Sequence, residues 1–200
     1  MLYHIFILAL DSIRGVEVIA ETDFVVPTKG GFFEWMGYGL RLSVSEDSLP
    51  AGTEECRVNI KASLSGPFQL PKDSDLLSPV FWISAPCKFR KPVTLDIQHC
   101  ASRDAASDLK FISAKRSQNL PYSFRQLDGG VFTTDSSYGS IKLNHFCAEA
   151  VTGTGSTPRS YCAQIYTIKK KLSDWRVFFI ITLNYDILRS VCDVHILPNL

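Results

Sequence analysis

Residues 76–100 read LLSPVFWISAPCKFRKPVTLDIQHC, and the fold is decided in this stretch. Residues 76–83 form an apolar run of strand-forming types, which a break at Ala85-Pro86 ends. A basic cluster follows at Lys88, Arg90 and Lys91. Pro92 then opens a run in which Val93, Leu95, Ile97 and His99 alternate with Thr94, Asp96 and Gln98. A period of two sends successive side chains to opposite faces, the pattern of a half-buried strand.

The same alternation recurs outward, at Leu40, Leu42 and Val44 and at Val58, Ile60, Ala62 and Leu64. Leu109, Phe111 and Phe124 mark further strands. Ile141, Leu143, His145 and Cys147 are expected on one face of another, with Lys142, Asn144 and Phe146 on the other. Turn chemistry separates the runs: SEDSLPAG at 45–52, Gly66-Pro67, Asp128-Gly129-Gly130 and Tyr138-Gly139, with a flexible start at Gly30-Gly31. Short strands punctuated by Gly and Pro predict an all-β fold, an antiparallel β-sandwich.

Composition agrees. The 200 residues carry 21 basic and 20 acidic side chains, so no global charge draws the chain to nucleic acid or acidic lipid. Hydrophobic residues make up 46% and include 13 Phe, enough for a substantial core. The apolar N-terminus at 1–10 lacks a basic leader, and Asp11 and Arg14 interrupt it, so no signal peptide is expected. The run at 177–183 is far shorter than the roughly 20 residues of a membrane helix.

The expected organisation is an extension over 1–29, one domain over 30–147, a linker over 148–160 and a partial second domain over 161–200. The linker reading rests on TGTGSTPRS at 152–160. Beyond it, Cys162, Gln164 and Tyr166 alternate with their neighbours, lysines 169–171 form a turn, and 177–183 reads as a buried strand. Asn184 can cap a short helix that turns Ile187, Leu188, Val191 and Cys192 one way.

The central stretch resembles the ZU5 domain, a module named for zonula occludens proteins and uncoordinated-type netrin receptors and present in ankyrins. The matching elements are Leu77-Ser78-Pro79-Val80-Phe81, Ala85-Pro86, Phe89, Lys91-Pro92-Val93-Thr94-Leu95 and Gln98-His99-Cys100. Ala85 stands where the family has Gly, and Gln98 where it has Pro. Upstream, Gly30-Gly31, Gly39-Leu40-Arg41-Leu42 and Leu49-Pro50-Ala51-Gly52 follow the family order, with a divergent turn at Val44-Ser45 and Asp47-Ser48. The resemblance covers residues 30–147. More weakly, 161–166 and 181–194 resemble the opening of the UPA domain that follows ZU5 in netrin receptors and ankyrins.

The resemblance implies a non-enzymatic, cytoplasmic protein-interaction or scaffold module of a signalling or cytoskeleton-linked protein, a setting that includes the intracellular part of a longer receptor. Its partners would be cytoskeletal or death-domain signalling proteins, or its own downstream domains. No cofactor, nucleic acid or membrane insertion is implied.

The sharpest chemical candidate is His145-Phe146-Cys147. Relatives among death-domain adaptors cut themselves at His-Phe-Ser near the end of the domain. Here a thiol replaces the hydroxyl and would attack the Phe146 carbonyl, with His145 assisting proton transfer. The competing reading is a terminal strand with a core His and a small buried Cys. Zinc is a weaker reading: His99, Cys100, His145 and Cys147 are the right types, but adjacent strand residues face opposite ways and no Cys-x-x-Cys knuckle is present.

The six cysteines fit either disulfides of a secreted domain or reduced thiols, and the adequate core favours the thiols. The basic clusters at Lys88, Arg90 and Lys91 and at 169–171 with Arg176 suit an acidic protein or lipid surface, or simply solvated turns. Phe32, Phe33 and Trp35 read as an interface or as core and strand-edge residues. No phosphate loop, serine elbow or carboxylate pair is present.

Overall fold

The computed structural model describes residues 13–35, 37–117, 119–157, 159, 161–171 and 174–183, the last two segments and residues 103–104 by backbone only. The apolar run at 1–10 and the helix expected after Asn184 lie outside the described residues. The first strands are β1 (Glu17–Pro27), β2 (Gly31–Trp35), β3 (Leu40–Val44), β4 (Glu55–Ser65), β5 (Phe68–Gln69), β6 (Ser74–Leu76), β7 (Val80–Ser84) and β8 (Val93–Gln98). A 3-10 turn, Arg103–Asp108, precedes β9 (Lys110–Ala114), β10 (Tyr122–Ser123), β11 (Arg125–Leu127), β12 (Val131–Phe132), β13 (Tyr138–Leu143) and β14 (Ala148–Thr154). A hairpin of β15 (Tyr161–Lys171) and β16 (Asp174–Leu183) follows.

A seven-stranded sheet runs β1-β4-β7-β14-β9-β11, with β6 also on β14. A five-stranded sheet runs β12-β13-β8-β3-β2. Pairing within both is antiparallel, so the architecture is the sandwich the alternating runs predict.

The main core fills the space between the sheets. Leu40, Leu42, Leu95, Ile97 and Ile141 come from the smaller sheet, and Val58, Ile60, Phe81, Phe111 and Val151 from the larger. Fully burying each such side chain contributes about 1.5–3 kcal/mol. A second cluster covers the outer face of the larger sheet, where Val80, Trp82, Ile112, Ala148 and Ala150 meet Ile13, Tyr122 and Phe124. Its polar tips are satisfied, since Trp82 Nε1 donates to Ser63 Oγ at 3.0 Å and Tyr122 Oη donates to the Arg14 carbonyl at 3.2 Å. Two covered faces explain why residues 77–83 are continuously buried rather than alternating.

Several sequence expectations are corrected. Tyr138-Gly139 is not a turn but the start of β13, and a Cβ at Gly139 would collide with the Phe132 ring packed on it. Gly30 is less a flexible start than a fixed corner, with φ +68° and the Val44 carbonyl where a Cβ would sit. The expected N-terminal extension contains β1, which pairs with β4 from Glu17 to Pro27. The expected linker contains β14, flanked on both sides within the larger sheet. Lysines 169–171 end a strand rather than make the turn. The strand expected through Cys147 stops at Leu143, and residues 144–147 form a connection.

Candidate functional site

The connection from β13 to β14 carries His145, Phe146 and Cys147. It is held at its end by the ladder: the Cys147 carbonyl accepts from Ile83 N at 2.8 Å, and Ala148 pairs with Trp82 and Ala114. His145 and Cys147 share a side as expected, for both line the second cavity without Phe146, but that side does not lead His145 into the core. His145 is exposed, so the core-histidine reading of this residue is also corrected. Phe146 is half-buried and meets Phe89 edge-on at 5.6 Å. Cys147 is half-buried.

Glu149 closes the site from beneath. It lies on β14 with 1% exposure, and its Oε1 accepts from Cys147 N at 2.8 Å and from Ser113 Oγ at 3.5 Å. Its Oε2 is buried without a hydrogen-bond partner. Burial pushes this carboxyl up to about 8, and the Cys147 and Ser113 hydrogen bonds only partly oppose it. The Cys147 thiol is raised as well, first by burial and then by Glu149, with Ser113 and Lys115 opposing. At neutral pH the pair is therefore mostly protonated.

Above this connection lies a cavity of about 540 Å³. Its apolar wall includes Trp82, Ile83, Phe89 and Phe146. Its cations are Lys88, Lys115 and Arg116, all exposed, together with Lys61, which is buried and paired with Glu21 at 3.7 Å. No Asp or Glu lies among its described lining residues. A second cavity of about 370 Å³ shares Lys115, His145 and Cys147, so the connection forms a wall between the two.

The structure thus divides the basic cluster. Lys88 faces the large cavity, whereas Lys91 Nζ donates to the Glu46 carbonyl at 2.6 Å and Arg90 N to the Ser48 carbonyl at 2.7 Å, fastening the turn at 45–52. The side chains of 169–171 and Arg176 lie outside the described residues.

The four residues of the zinc reading do not converge. His99 and Cys100 are buried in the sandwich, while His145 and Cys147 line the cavities. Among the described residues no three His, Cys, Asp or Glu side chains group as a metal site. His99 is 4% exposed, both ring nitrogens lack partners, and its ring meets Phe132 edge-on at 5.8 Å. Burial lowers it to about 4, so it is a neutral core residue. Phe32 is 62% exposed on the edge strand β2, while Phe33 stacks on Phe24 and Trp35 on Tyr38. Among the described residues no helix is long and apolar enough to cross a membrane.

Sequence reasoning missed Glu149. The available signal was one acid set among small and apolar residues, AEAV at 148–151, which reads as a linker until the strand is seen.

No curated protein matches this chain. Residues 22–115 match the family model of the ZU5 domain, from the second half of β1 to the end of β9. ZU5 domains are protein-interaction modules, and their sandwich is the fold seen here: the chain carries a ZU5 domain.

Proposed function

We propose that the chain is a non-enzymatic cytoplasmic scaffold module whose large cavity grips an acidic segment of a partner protein bearing an apolar side chain. One observation carries this reading: Lys88, Lys115 and Arg116 ring an opening lined by Trp82, Phe89 and Phe146, without a carboxylate among its described lining. Charge complementarity selects the partner and the apolar floor supplies burial. Such a segment belongs to a cytoskeletal or death-domain signalling protein, and the chain's own UPA-like segment is the competing occupant. The folded unit proposed to present the cavity runs from residue 17 to residue 157.

The test is a fluorescence-anisotropy titration with a labelled peptide of alternating glutamate and phenylalanine. Three exposed cations at about 0.5–1 kcal/mol each correspond to a loss of about tenfold or more when all are reversed. The variant carrying Lys88→Glu, Lys115→Glu and Arg116→Glu is expected to show that loss, while Lys142→Glu on β13 keeps the affinity. Equal losses in both variants would contradict the assignment to the cavity.

Glu149 supports a second reading, self-cleavage between Phe146 and Cys147. The Cys147 sulfur would attack the Phe146 carbonyl carbon, the C–N bond would break, and the nitrogen would take a proton. Glu149 stands 2.8 Å from that nitrogen and is mostly protonated at neutral pH. Water then opens the thioester, leaving a Phe146 carboxylate and a free Cys147 thiol. Intact-mass measurement of protein expressed in cells checks this. Two fragments meeting at Phe146 and Cys147, lost in Cys147→Ala and slowed in Glu149→Gln, are expected; only the uncleaved full-length chain in all three proteins sinks the reading.

A further inference from the structure

We infer that Cys56 and Cys87 form a reversible disulfide site, closed by hydroperoxides and opened by thiols. Their sulfurs lie 2.8 Å apart, and both residues are free cysteines. The placement follows from the ladder. β4 pairs with β7 in the register Ile60↔Ile83 and Asn59↔Ser84. The ladder ends there with β7, and the connection that follows brings the Cys87 sulfur back onto Cys56 of β4. Closing the bond requires the sulfurs to approach from 2.8 Å to about 2.05 Å, a shift of under about 1 Å.

The two thiols are differently placed. Cys56 is 2% exposed on β4, and burial with the neighbouring Cys87 thiol pushes it up to about 11. Cys87 is half-buried and lines the large cavity, so an oxidant reaches it first. A hydroperoxide oxidises the Cys87 thiol to a sulfenic acid, and hydrogen peroxide in doing so becomes water. The Cys56 sulfur then attacks the Cys87 sulfur, and the departing hydroxide takes the Cys56 proton to form a second water. Two thiols lose two electrons and two protons, and the O–O bond gains them. Two equivalents of a small thiol return the pair to the reduced state and leave as a disulfide. The cross-link ties the cavity loop after β7 to β4.

The test uses the reduced full chain treated with equimolar hydrogen peroxide, alkylated, digested with trypsin and mapped by mass spectrometry. The expected product is one cross-linked species joining the Cys56 and Cys87 peptides, about 2 Da lighter than their sum, that dithiothreitol abolishes. Cys56→Ser is expected to leave Cys87 as a sulfenic acid captured by dimedone. Alkylation of both residues in the wild type, under peroxide that oxidises free glutathione, overturns the inference, as does a Cys87–Cys147 bridge in place of the expected one. The wild-type reading needs no variant to fold and is independent of whether acidic peptides bind the cavity.

Discussion

Phe81→Ala is expected to lower the unfolding free energy by about 3–5 kcal/mol in a denaturant titration. Phe81 is fully buried at the middle of the larger sheet, opposite Ala62 on β4 and Glu149 on β14. Its ring reaches across the sandwich to Trp35, 6.4 Å away. Truncation removes the buried area and leaves a void that strands fixed on both sides cannot close. Phe32→Ala is the control: the ring is 62% exposed on an edge strand, and a change within about 0.5 kcal/mol is expected. Equal effects at the two positions would contradict the packing described.

Glu149 gives the second large effect, a pH dependence of stability. Its folded value of about 8 lies above the ordinary carboxyl value of 4.5, so the folded state holds a proton that the unfolded state has released. Stability from this group is complete below the unfolded value and is lost as pH rises toward the folded one. His99 works in the opposite sense. Its folded value of about 4 lies below the ordinary 6.5, so its contribution is complete above 6.5 and is lost as pH falls.

Between pH 4.5 and 6.5 the two slopes largely cancel. Between 6.5 and 8 Glu149 acts without His99, and stability is expected to fall by about 1.4 kcal/mol per pH unit, roughly 2 kcal/mol across the window. The Cys56 and Cys100 thiols, raised to about 11, add their loss only above their ordinary value of 9.0. Glu149→Gln is expected to flatten the curve between pH 6.5 and 8, and His99→Leu to leave a single downward slope from 4.5 to 8. Chemical denaturation at half-unit pH steps checks both, and a wild-type curve flat from 6.5 to 8 would contradict the buried, protonated carboxyl.

The strands legible in the sequence are those with one wet face or one flanking clue. β3 and β8 bury alternate residues because each belongs to a sheet with one covered side, and alternation is then the readable signal. β4 shows it at Val58, Ile60 and Ala62 before both faces become covered. β14 escaped because both its faces are buried, which erases the period, and its small residues imitate a linker. β1 escaped because an edge strand with mostly half-buried residues keeps its charges, Glu17, Glu21 and Asp23, in reach of solvent.

The site was half legible. His145, Phe146 and Cys147 do stand together at a cavity, but extending the β13 alternation past Leu143 placed His145 in the core, whereas it is exposed. The Cys56 and Cys87 contact spans 31 positions and needs the β4–β7 register to be seen.

Amide-resolved NMR of the labelled chain during addition of the unlabelled glutamate–phenylalanine peptide tests whether the cavity is the docking site. Shifts confined to residues 13, 59–61, 82–89, 115–116 and 144–147, weakening as salt rises, are the predicted result. Shifts centred on the cavity at Thr28, Pro50 and Arg90 or on the β2 edge, or no shifts at millimolar peptide, would contradict it.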